Sequence, residues 1–339
     1  MQNSGYVRKM VNMNILQRNL FWLCLLVLAA GVVCATQAAA AQPYPTRPIR
    51  LIVPFAPGGG PDILARLLAP RLAETFKQSV VVDNRPGGGG TMGIETAVRA
   101  NPDGHTMIIV SSGYAANAAL HKLPYDAVND VAPIVLMGET GFVVALHPSV
   151  PAASIKELIA YDKTNPGKLN YGSSGTGSAS HLAAALFSQM AGIPMTHVPY
   201  KGGGLAMNDL IGGQIQFIVN AMPLVMPSVR SNRLRAIAVT TTRRTAVAPD
   251  IPTVAESVAG YEAVNWYAVL GPKALPRDVI ARWNEEANRM VQSLELKERM
   301  ASDGMELVGG LPDRVYDVLR RDVAKWQNVV RIGGIKPGN

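Results

Sequence analysis

The sequence contains very little cysteine: of its 339 residues, only Cys24 and Cys34 are cysteines. Both lie in an N-terminal segment with the pattern of an export signal, so the chain predicted to remain after export has none. This absence excludes disulfides, thiolate nucleophiles, cysteine-ligated zinc and iron–sulfur clusters from the remaining chain. Val32 and Val33 precede Cys34 where a lipid-modified cysteine would need small residues, which argues against a lipoprotein.

Charged and aromatic residues are also scarce, at 17 % and 6 % of the chain. Disorder is not expected to dominate, because it needs low hydrophobicity and hydrophobic residues here reach 48 %. The net charge is +8, but the sequence has no lysine- or arginine-rich tract. Nucleic acid is therefore not expected as a partner. The few aromatic residues form no obvious stacking box for a ring-shaped ligand.

Motifs for metals, cofactors and catalysis are missing as well. The five histidines, at positions 105, 121, 147, 181 and 197, form no metal-binding pair at helical spacing. Gly175–Ser180 lacks the third glycine of a dinucleotide loop, and Lys201 precedes its glycine run instead of following it. We therefore expect no metal, no cofactor and no enzymatic activity. A periplasmic hydrolase with Ser173 or Ser174, His181 and Asp209 as a triad remains a remote alternative.

The N-terminus resembles a secretory signal peptide. Arg8, Lys9 and Arg18 precede the apolar run Leu20–Cys34, and small residues ending in A-x-A follow it. The run is shorter than the roughly 20 residues that a membrane-spanning helix needs. We expect cleavage after Ala41 and a soluble periplasmic product. The sequence leaves open whether translation starts at Met1 or Met13.

One unit recurs along the rest of the chain: a short apolar run, a glycine-rich loop and a segment of helical periodicity. Such β-loop-α alternation predicts mainly parallel sheets with helices on both faces. The predicted strands include Ile49–Phe55, Val80–Val82, Met107–Val110, Phe142–Leu146, Leu169–Tyr171, Thr196–Pro199, Ile215–Val219, Leu234–Thr240 and Trp266–Leu270. Long helices are predicted at Arg277–Leu296 and at residues 313–330.

The restart of this pattern predicts two α/β lobes. We expect a signal peptide at residues 1–41, the first part of lobe 1 at 42–142, lobe 2 at 143–262, and the completion of lobe 1 with the C-terminal helices at 263–339. The chain would cross between the lobes near residues 143 and 262. A monomer is the default expectation.

The glycine loops are the most informative feature for function. Glycine permits close backbone approach to a ligand, and a helix N-terminus presents unpaired N–H groups with a partial positive charge. Loops that join a strand end to a helix start therefore form anion sites without charged side chains. In an open α/β sheet, ligands bind at the carboxyl ends of the strands. Because both predicted lobes carry such loops, we expect them to face one cleft.

Six segments stand out in order along the chain: PIRLIVPFAPGGGPDILARLLAPRL, VVVDNRPGGGGTMGIETAVRANPDGHT, LNYGSSGTGSASHLA, HVPYKGGGLAMNDLIGGQIQFIVNAMP, RLRAIAVTTTRR and PDIPTVAES. Together they resemble the Bug/TctC family, the periplasmic solute-binding proteins of tripartite tricarboxylate transporters. The resemblance covers essentially the whole chain after residue 41. The resemblance implies an α/β, two-lobed periplasmic-binding-protein fold of the Venus-flytrap, type II-like class. Each lobe would be a mainly parallel sheet flanked by helices, with a carboxylate ligand between the lobes.

The glycine loops and the resemblance together predict capture of a small organic carboxylate and its delivery to the permease subunits of a tripartite tricarboxylate transporter. A membrane sensor kinase is the alternative partner. The ligand could be a dicarboxylate, a tricarboxylate, an acidic amino acid or an aromatic carboxylate. The expected ligand-binding residues are Phe55, Pro57, Gly58, Gly59, Asp62, Gly90, Thr91, Met92, Tyr114, Asn117, Ser173, Ser174, Gly175, Thr176, Gly177, Ser178, His181, Tyr200, Lys201, Gly202, Asn220 and Met222.

Overall fold

The computed structural model describes residues 44–302 and 304–333. The predicted signal peptide and its cleavage site lie outside these residues. Within the described ranges, no helix combines the length and the apolar character that crossing a membrane requires. Residues Arg47–Asn339 pack as one compact unit.

Strands and helices alternate through most of the described chain. The strands are β1 (Ile49–Val53), β2 (Val80–Asn84), β3 (Thr106–Ser111), β4 (Val131–Leu146), β5 (Asn170–Ser173), β6 (Thr196–Pro199), β7 (Phe217–Ala221), β8 (Arg235–Val239), β9 (Val264–Pro272) and β10 (Met305–Leu307). The helices are α1 (Gly60–Phe76), α2 (Thr91–Val98), α3 (Gly113–Leu120), α4 (Ile155–Thr164), α5 (Ala179–Ala191), α6 (Gly203–Ile211), α7 (Met222–Arg230), α8 (Arg277–Gln292), α9 (Leu294–Ser302) and α10 (Pro312–Gly333). Short 3₁₀ turns occupy Gly88–Gly90 and Val254–Glu256.

One long strand, β4, connects two halves of the sheet. Its residues 131–141 pair with β9, and its residues 142–146 pair with β7 and β8. The strand order is β2-β1-β3-β9-β4-β7-β5-β6, with β8 and β10 also paired to β4. The first half therefore holds β1, β2, β3, β9 and β10, and the second half holds β5, β6, β7 and β8.

The α/β fold is confirmed, and the sheet is mixed. The outer pairs are parallel, as predicted: β1 lies between β2 and β3, and β5 lies between β6 and β7. The pairs that involve β4 and β9 are antiparallel. The sequence pattern did not show this arrangement, because fully buried strands are continuous apolar runs whatever their direction.

Each half of the sheet has its own apolar core. In the first half, the side chains of Ile108, Leu136 and Trp266 pack with Leu319 and Trp326 of α10. In the second half, one face of the sheet packs with α5 and another with α6 and α7. The C-terminal helix thus completes the first core, although it follows the second half in sequence.

Three helices were not predicted. Helix α3 consists largely of glycine and alanine, so it shows no clear apolar stripe. Helix α7 contains Pro223 in its first turn and Pro227 further along, and proline usually argues against a helix interior. Helix α4 begins at the capping residue Ser154, whose hydroxyl accepts a hydrogen bond from the Glu157 amide. The predicted helix Arg277–Leu296 is divided into α8 and α9 at Ser293.

Replacement of Leu136 tests the role of β4 in the first core. Leu136 is fully buried, whereas Leu294 is 71 % exposed. We expect Leu136→Ala to lower the free energy of unfolding by about 2–5 kcal/mol, because burial is lost and a cavity remains. Leu294→Ala should change it by less than about 0.5 kcal/mol. Urea unfolding followed by circular dichroism measures both, and equal effects would contradict the assigned core.

Candidate ligand-binding site

A small central cavity lies where the N-termini of four helices meet. Its volume is about 30 Å³. The lining includes Gly60 at the start of α1, Ala179 at the start of α5 and Gly203 at the start of α6. Ala221, the residue directly before α7, completes the set. Because the first N–H groups of a helix lack intrahelical partners and carry partial positive charge, the cavity suits a small anionic group.

Neutral polar side chains add further donors. The Asn220 amide nitrogen is buried and makes no hydrogen bond to the described residues. The Tyr267 hydroxyl is also buried. Burial raises the pKa of Tyr267, and the Asn265 side chain opposes that rise. The hydroxyl makes no hydrogen bond to the described residues. Both Asn220 and Tyr267 line the central cavity, so each can donate to a group bound there.

Gly60 permits the close approach of α1 to this polar cluster. A Cβ added at Gly60 would overlap with the Tyr267 hydroxyl. Any other residue would force the helix N-terminus and the tyrosine apart. The glycine of the loop is therefore required here for contact between elements, and not only for a turn.

A larger space, the outer groove, adjoins the central cavity. Its volume is about 340 Å³, and Phe55 and Ser174 line both spaces. The outer groove is also lined by Gly87, Gly88, Gly89, Gly90, His121, Gly175, Thr176, Pro199, Tyr200 and Lys201. No aspartate or glutamate is among the residues that line either space. An anion placed in them would therefore meet no carboxylate in the lining.

Loops of the two sheet halves touch around these spaces. The Ala56 amide donates a hydrogen bond of 3.0 Å to the Lys201 carbonyl. Gly89 lies so close to the Thr176 carbonyl that an added Cβ would overlap with it. Gly89 has φ +63°, which also favours glycine. The arrangement is a closed one, with the loop Gly87–Gly90 packed directly on the loop that follows β5.

Asp62 and Asn117 hold the loops of the first half in place. Asp62 accepts hydrogen bonds from the Gly58 amide at 2.9 Å, from Asn84 and from Arg66. Burial opposes ionisation, but these hydrogen bonds keep the pKa of Asp62 below its ordinary value. The Asn117 side chain donates to the Gly88 carbonyl and to Thr91. These two predicted site residues thus position backbone groups and do not line the spaces themselves.

A stack of aromatic and imidazole rings supports the loop after β5. The rings of His181 and His197 lie 4.0 Å apart, and Tyr171 stacks on His197 at 4.9 Å. The Gly177 amide donates to Nδ1 of His181, and the Ser173 hydroxyl lies 2.6 Å from Nε2 of His197. Burial lowers the pKa of His181 to about 3 and that of His197 to about 4. Both imidazoles are therefore neutral at pH 7.

The predicted site residues fall into three groups. The central cavity is lined by Phe55, Gly59, Ser174, Ser178 and Asn220. The outer groove is lined by Phe55, Gly90, Ser174, Gly175, Thr176, Tyr200 and Lys201. Neither lining includes Pro57, Gly58, Asp62, Thr91, Met92, Tyr114, Asn117, Ser173, Gly177, His181, Gly202 or Met222.

Two of the residues outside both linings belong to the core. Tyr114 is 2 % exposed and donates its hydroxyl proton to the Ala127 carbonyl. Met222 is fully buried in the second half, among side chains such as Val143 and Val225. Each residue follows a strand closely in sequence, which suggested a position at the site, but its side chain points into apolar packing. The cavity linings therefore give no support to a ligand contact for either residue.

Sequence reasoning missed several lining residues. Ser111 is the last residue of β3 and lines the central cavity. It directly follows the predicted strand Met107–Val110, and that position could have marked it as a lining residue. Asn265 and Tyr267 lie within β9, where no glycine loop marks them. His121 follows α3, a helix that the sequence did not reveal.

The hydrolase triad is not assembled. Ser173 contacts His197, whereas Nδ1 of His181 is occupied by the Gly177 amide. Asp209 accepts a hydrogen bond of 2.6 Å from the Tyr200 hydroxyl. Across the described ranges, no group of three or more His, Cys, Asp or Glu side chains is arranged to hold a metal ion.

Comparisons with known proteins identify the family of the chain. The sequence pattern of the tripartite tricarboxylate transporter family receptor matches residues 64–335. The protein BugT of Bordetella pertussis is 34 % identical over 319 residues, which cover 92 % of this chain and 98 % of BugT. A solved structure described as that of a periplasmic transporter is 37 % identical, with a TM-score of 0.84 over 86 % of this chain and 99 % of that one.

Two further solved structures contain carboxylates. Rpa4515 of R. palustris, solved with adipate, is 33 % identical, with a TM-score of 0.84 over 87 % of this chain and 100 % of its own. MatC of Rhodopseudomonas palustris, solved with bound malate, is 27 % identical, with a TM-score of 0.81 over 85 % of this chain and 100 % of its own.

The buried histidine stack predicts acid sensitivity. Because folding lowers both pKa values, the unfolded chain binds more protons, and stability present above pH 6.5 is lost as the pH falls toward 4. The loss should approach about 1.4 kcal/mol per pH unit for each histidine. We expect His197→Gln to reduce this dependence in urea unfolding between pH 7 and 5. The control His147→Gln removes a histidine outside the stack, which contacts Ser149 at the surface. An unchanged slope in both variants would contradict the assignment.

Proposed function

Because this chain belongs to the tripartite tricarboxylate transporter receptor family, we propose that it captures a small organic carboxylate between its two lobes. The protein would act in the periplasm and deliver the ligand to the permease subunits of a transporter. It would bind the ligand without chemical change. No feature of the described residues favours a sensor kinase over a permease as the partner.

The observation that carries the proposal is the convergence of four helix N-termini on a cavity without charged side chains. Backbone N–H groups and the partial charges of helix termini favour a carboxylate there. The Asn220 side-chain nitrogen and the Tyr267 hydroxyl, which make no hydrogen bond to the described residues, supply further donors. A cation would face the partial positive charges of the helix N-termini and would find no carboxylate among the described lining residues. The related proteins solved with adipate and malate support the same ligand class.

Closure of the lobes would enclose the ligand. Two places in the chain suit hinges. Strand β4 changes its pairing partners between Gly141 and Phe142, and β9 begins at Val264. We retain 42–142, 143–262 and 263–339 as the proposed lobe segments. Since a ligand shifts the open–closed equilibrium only by its differential affinity, contacts made from both lobes matter most. The approach of Gly89 to Thr176 is such a contact.

Substitution of neighbouring glycines tests the proposal. Gly88 and Gly89 both have positive φ, at +56° and +63°, so alanine strains both similarly. Only at Gly89 would the added Cβ overlap with Thr176; at Gly88 the nearest atom is 3.5 Å away. We expect Gly89→Ala to weaken binding at least about 10-fold, equal to about 1.4 kcal/mol, and Gly88→Ala to weaken it much less.

The measurement is calorimetric titration of the exported protein with adipate, malate and citrate. The protein is first unfolded and refolded to remove any bound ligand, and circular dichroism verifies refolding. The proposal is supported if the wild type binds at least one of these carboxylates and if Gly89→Ala loses much more affinity for it than Gly88→Ala does. Failure of all three acids to bind the native wild type would count against carboxylate capture.

A further inference from the structure

The division into a central cavity and an outer groove bears on the kind of carboxylate that fits. A cavity needs about 10–15 Å³ to hold a water molecule, so about 30 Å³ accommodates one small polar group. It cannot take a whole adipate or malate. The remainder of a ligand whose head lies in the central cavity would extend past Phe55 and Ser174 into the outer groove, where about 340 Å³ is available.

The outer groove has its own polar side chains at a distance from the helix N-termini. Lys201 is exposed, and among the described residues it is the only lysine or arginine that lines the groove. Tyr200 contributes its ring, but its hydroxyl proton is donated to Asp209 at 2.6 Å. His121 is the remaining ionisable residue. Its Nε2 atom is buried and makes no hydrogen bond to the described residues.

His121 occupies a position where both sheet halves contribute. It follows α3, and its amide donates to the Asn117 carbonyl at 2.9 Å, which fixes the residue at the helix end. On the other side lies Gly177 of the second half: a Cβ added there would be 3.1 Å from Nε2 of His121. Burial lowers the pKa of His121, so the imidazole is neutral at pH 7 and carries one N–H donor.

The absence of carboxylates among the described lining residues further restricts which ligands can bind. An α-ammonium group that enters either space would lose its hydration. No aspartate or glutamate among the described lining residues could then pair with it. Burying an unpaired charge is costly. An amino diacid is therefore disfavoured relative to the diacid of the same length without the amino group.

We propose that His121, together with Lys201, recognises a second acid group of the ligand in the outer groove, so that the protein selects unaminated dicarboxylates. This inference rests on the proposed carboxylate capture. It assigns the head group to the central cavity and the distal group to His121 and Lys201. His121 is then a specificity-determining residue that no glycine motif marks.

Matched ligand pairs test the inference without any mutation. The stripped, refolded protein is titrated calorimetrically with glutarate, pentanoate and glutamate, and with adipate and hexanoate. We expect each diacid to bind at least 10-fold more tightly than the monoacid of equal length, and glutarate at least 10-fold more tightly than glutamate. Equal affinities for diacid and monoacid, or tighter binding of glutamate, would overturn the proposal.

Two pairs of variants assign the residues. His121→Phe keeps a ring but removes the donor, and His147→Phe is its control on the surface. Lys201→Met removes the groove ammonium, and Lys122→Met removes a neighbouring exposed charge that does not line the groove. We expect His121→Phe and Lys201→Met each to lower diacid affinity about 10- to 100-fold, the range of a hydrogen bond to a charged group, while monoacid affinity changes less than 3-fold. The controls should change neither.

The outcomes separate this inference from the proposed function. If the wild type binds no carboxylate, carboxylate capture itself fails. If it binds diacids but His121→Phe lowers monoacid and diacid affinity equally, or lowers neither, the role of His121 fails alone. Should His121→Phe not refold, His121→Gln, which keeps an N–H donor, must retain the diacid preference of the wild type, and loss of that preference would overturn the assignment.

Discussion

The structure depends most on one electrostatic constraint: four helices direct their N-termini at a single cavity. Unpaired N–H groups and like-signed partial charges repel one another and are costly to bury without a partner. Asn220 and Tyr267 add donors to the same place and no carboxylate lines it. An anion satisfies all of these groups at once. Among the described residues, the cavity lining offers no such anion, and the proposed carboxylate ligand would supply it.

Two features of the sheet make the convergence possible. The parallel outer strands send their carboxyl ends, and therefore the following loops and helix starts, toward the same region in each half. The antiparallel strands β4 and β9 join the halves so that the two sets of loops face each other. Beneath the second set, the stack of Tyr171, His197 and His181 fixes the loop after β5 from below. The site is therefore built on ordered strands and supported rings, although its contacts come from loops.

Much of this could be predicted from the sequence, for reasons visible in particular residues. Apolar runs followed by glycine loops predicted β1, β2 and β5 and the helices that come after them. The family resemblance extended that pattern to the whole chain. The loop residues Gly59, Ser174 and Lys201 were predicted because a loop between a strand and a helix must lie at the sheet edge, and they line the two spaces. Tyr114 and Met222 were predicted for the same reason, because they follow strands, and the structure places their side chains in the cores.

The remaining residues could not be found by local patterns. Asn265 and Tyr267 reach the cavity only because β9 lies next to both β3 and β4, a pairing between distant parts of the chain. His121 depends on α3, whose glycine- and alanine-rich sequence shows no apolar stripe. The opposition of Gly89 and Thr176 requires knowledge of how the two halves meet. Local sequence predicts the elements, and tertiary contacts decide which side chains share a space.

Amide NMR spectroscopy can test whether the helix N-termini bind one carboxylate together. The stripped, isotope-labelled protein is titrated with adipate, and the backbone N–H resonances of Gly60, Ala179 and Gly203 are followed, with Leu294 as a distant reference. We expect saturable downfield proton shifts at all three helix starts, because their N–H groups would donate to one carboxylate. Binding of adipate that leaves these three amides unshifted would contradict it.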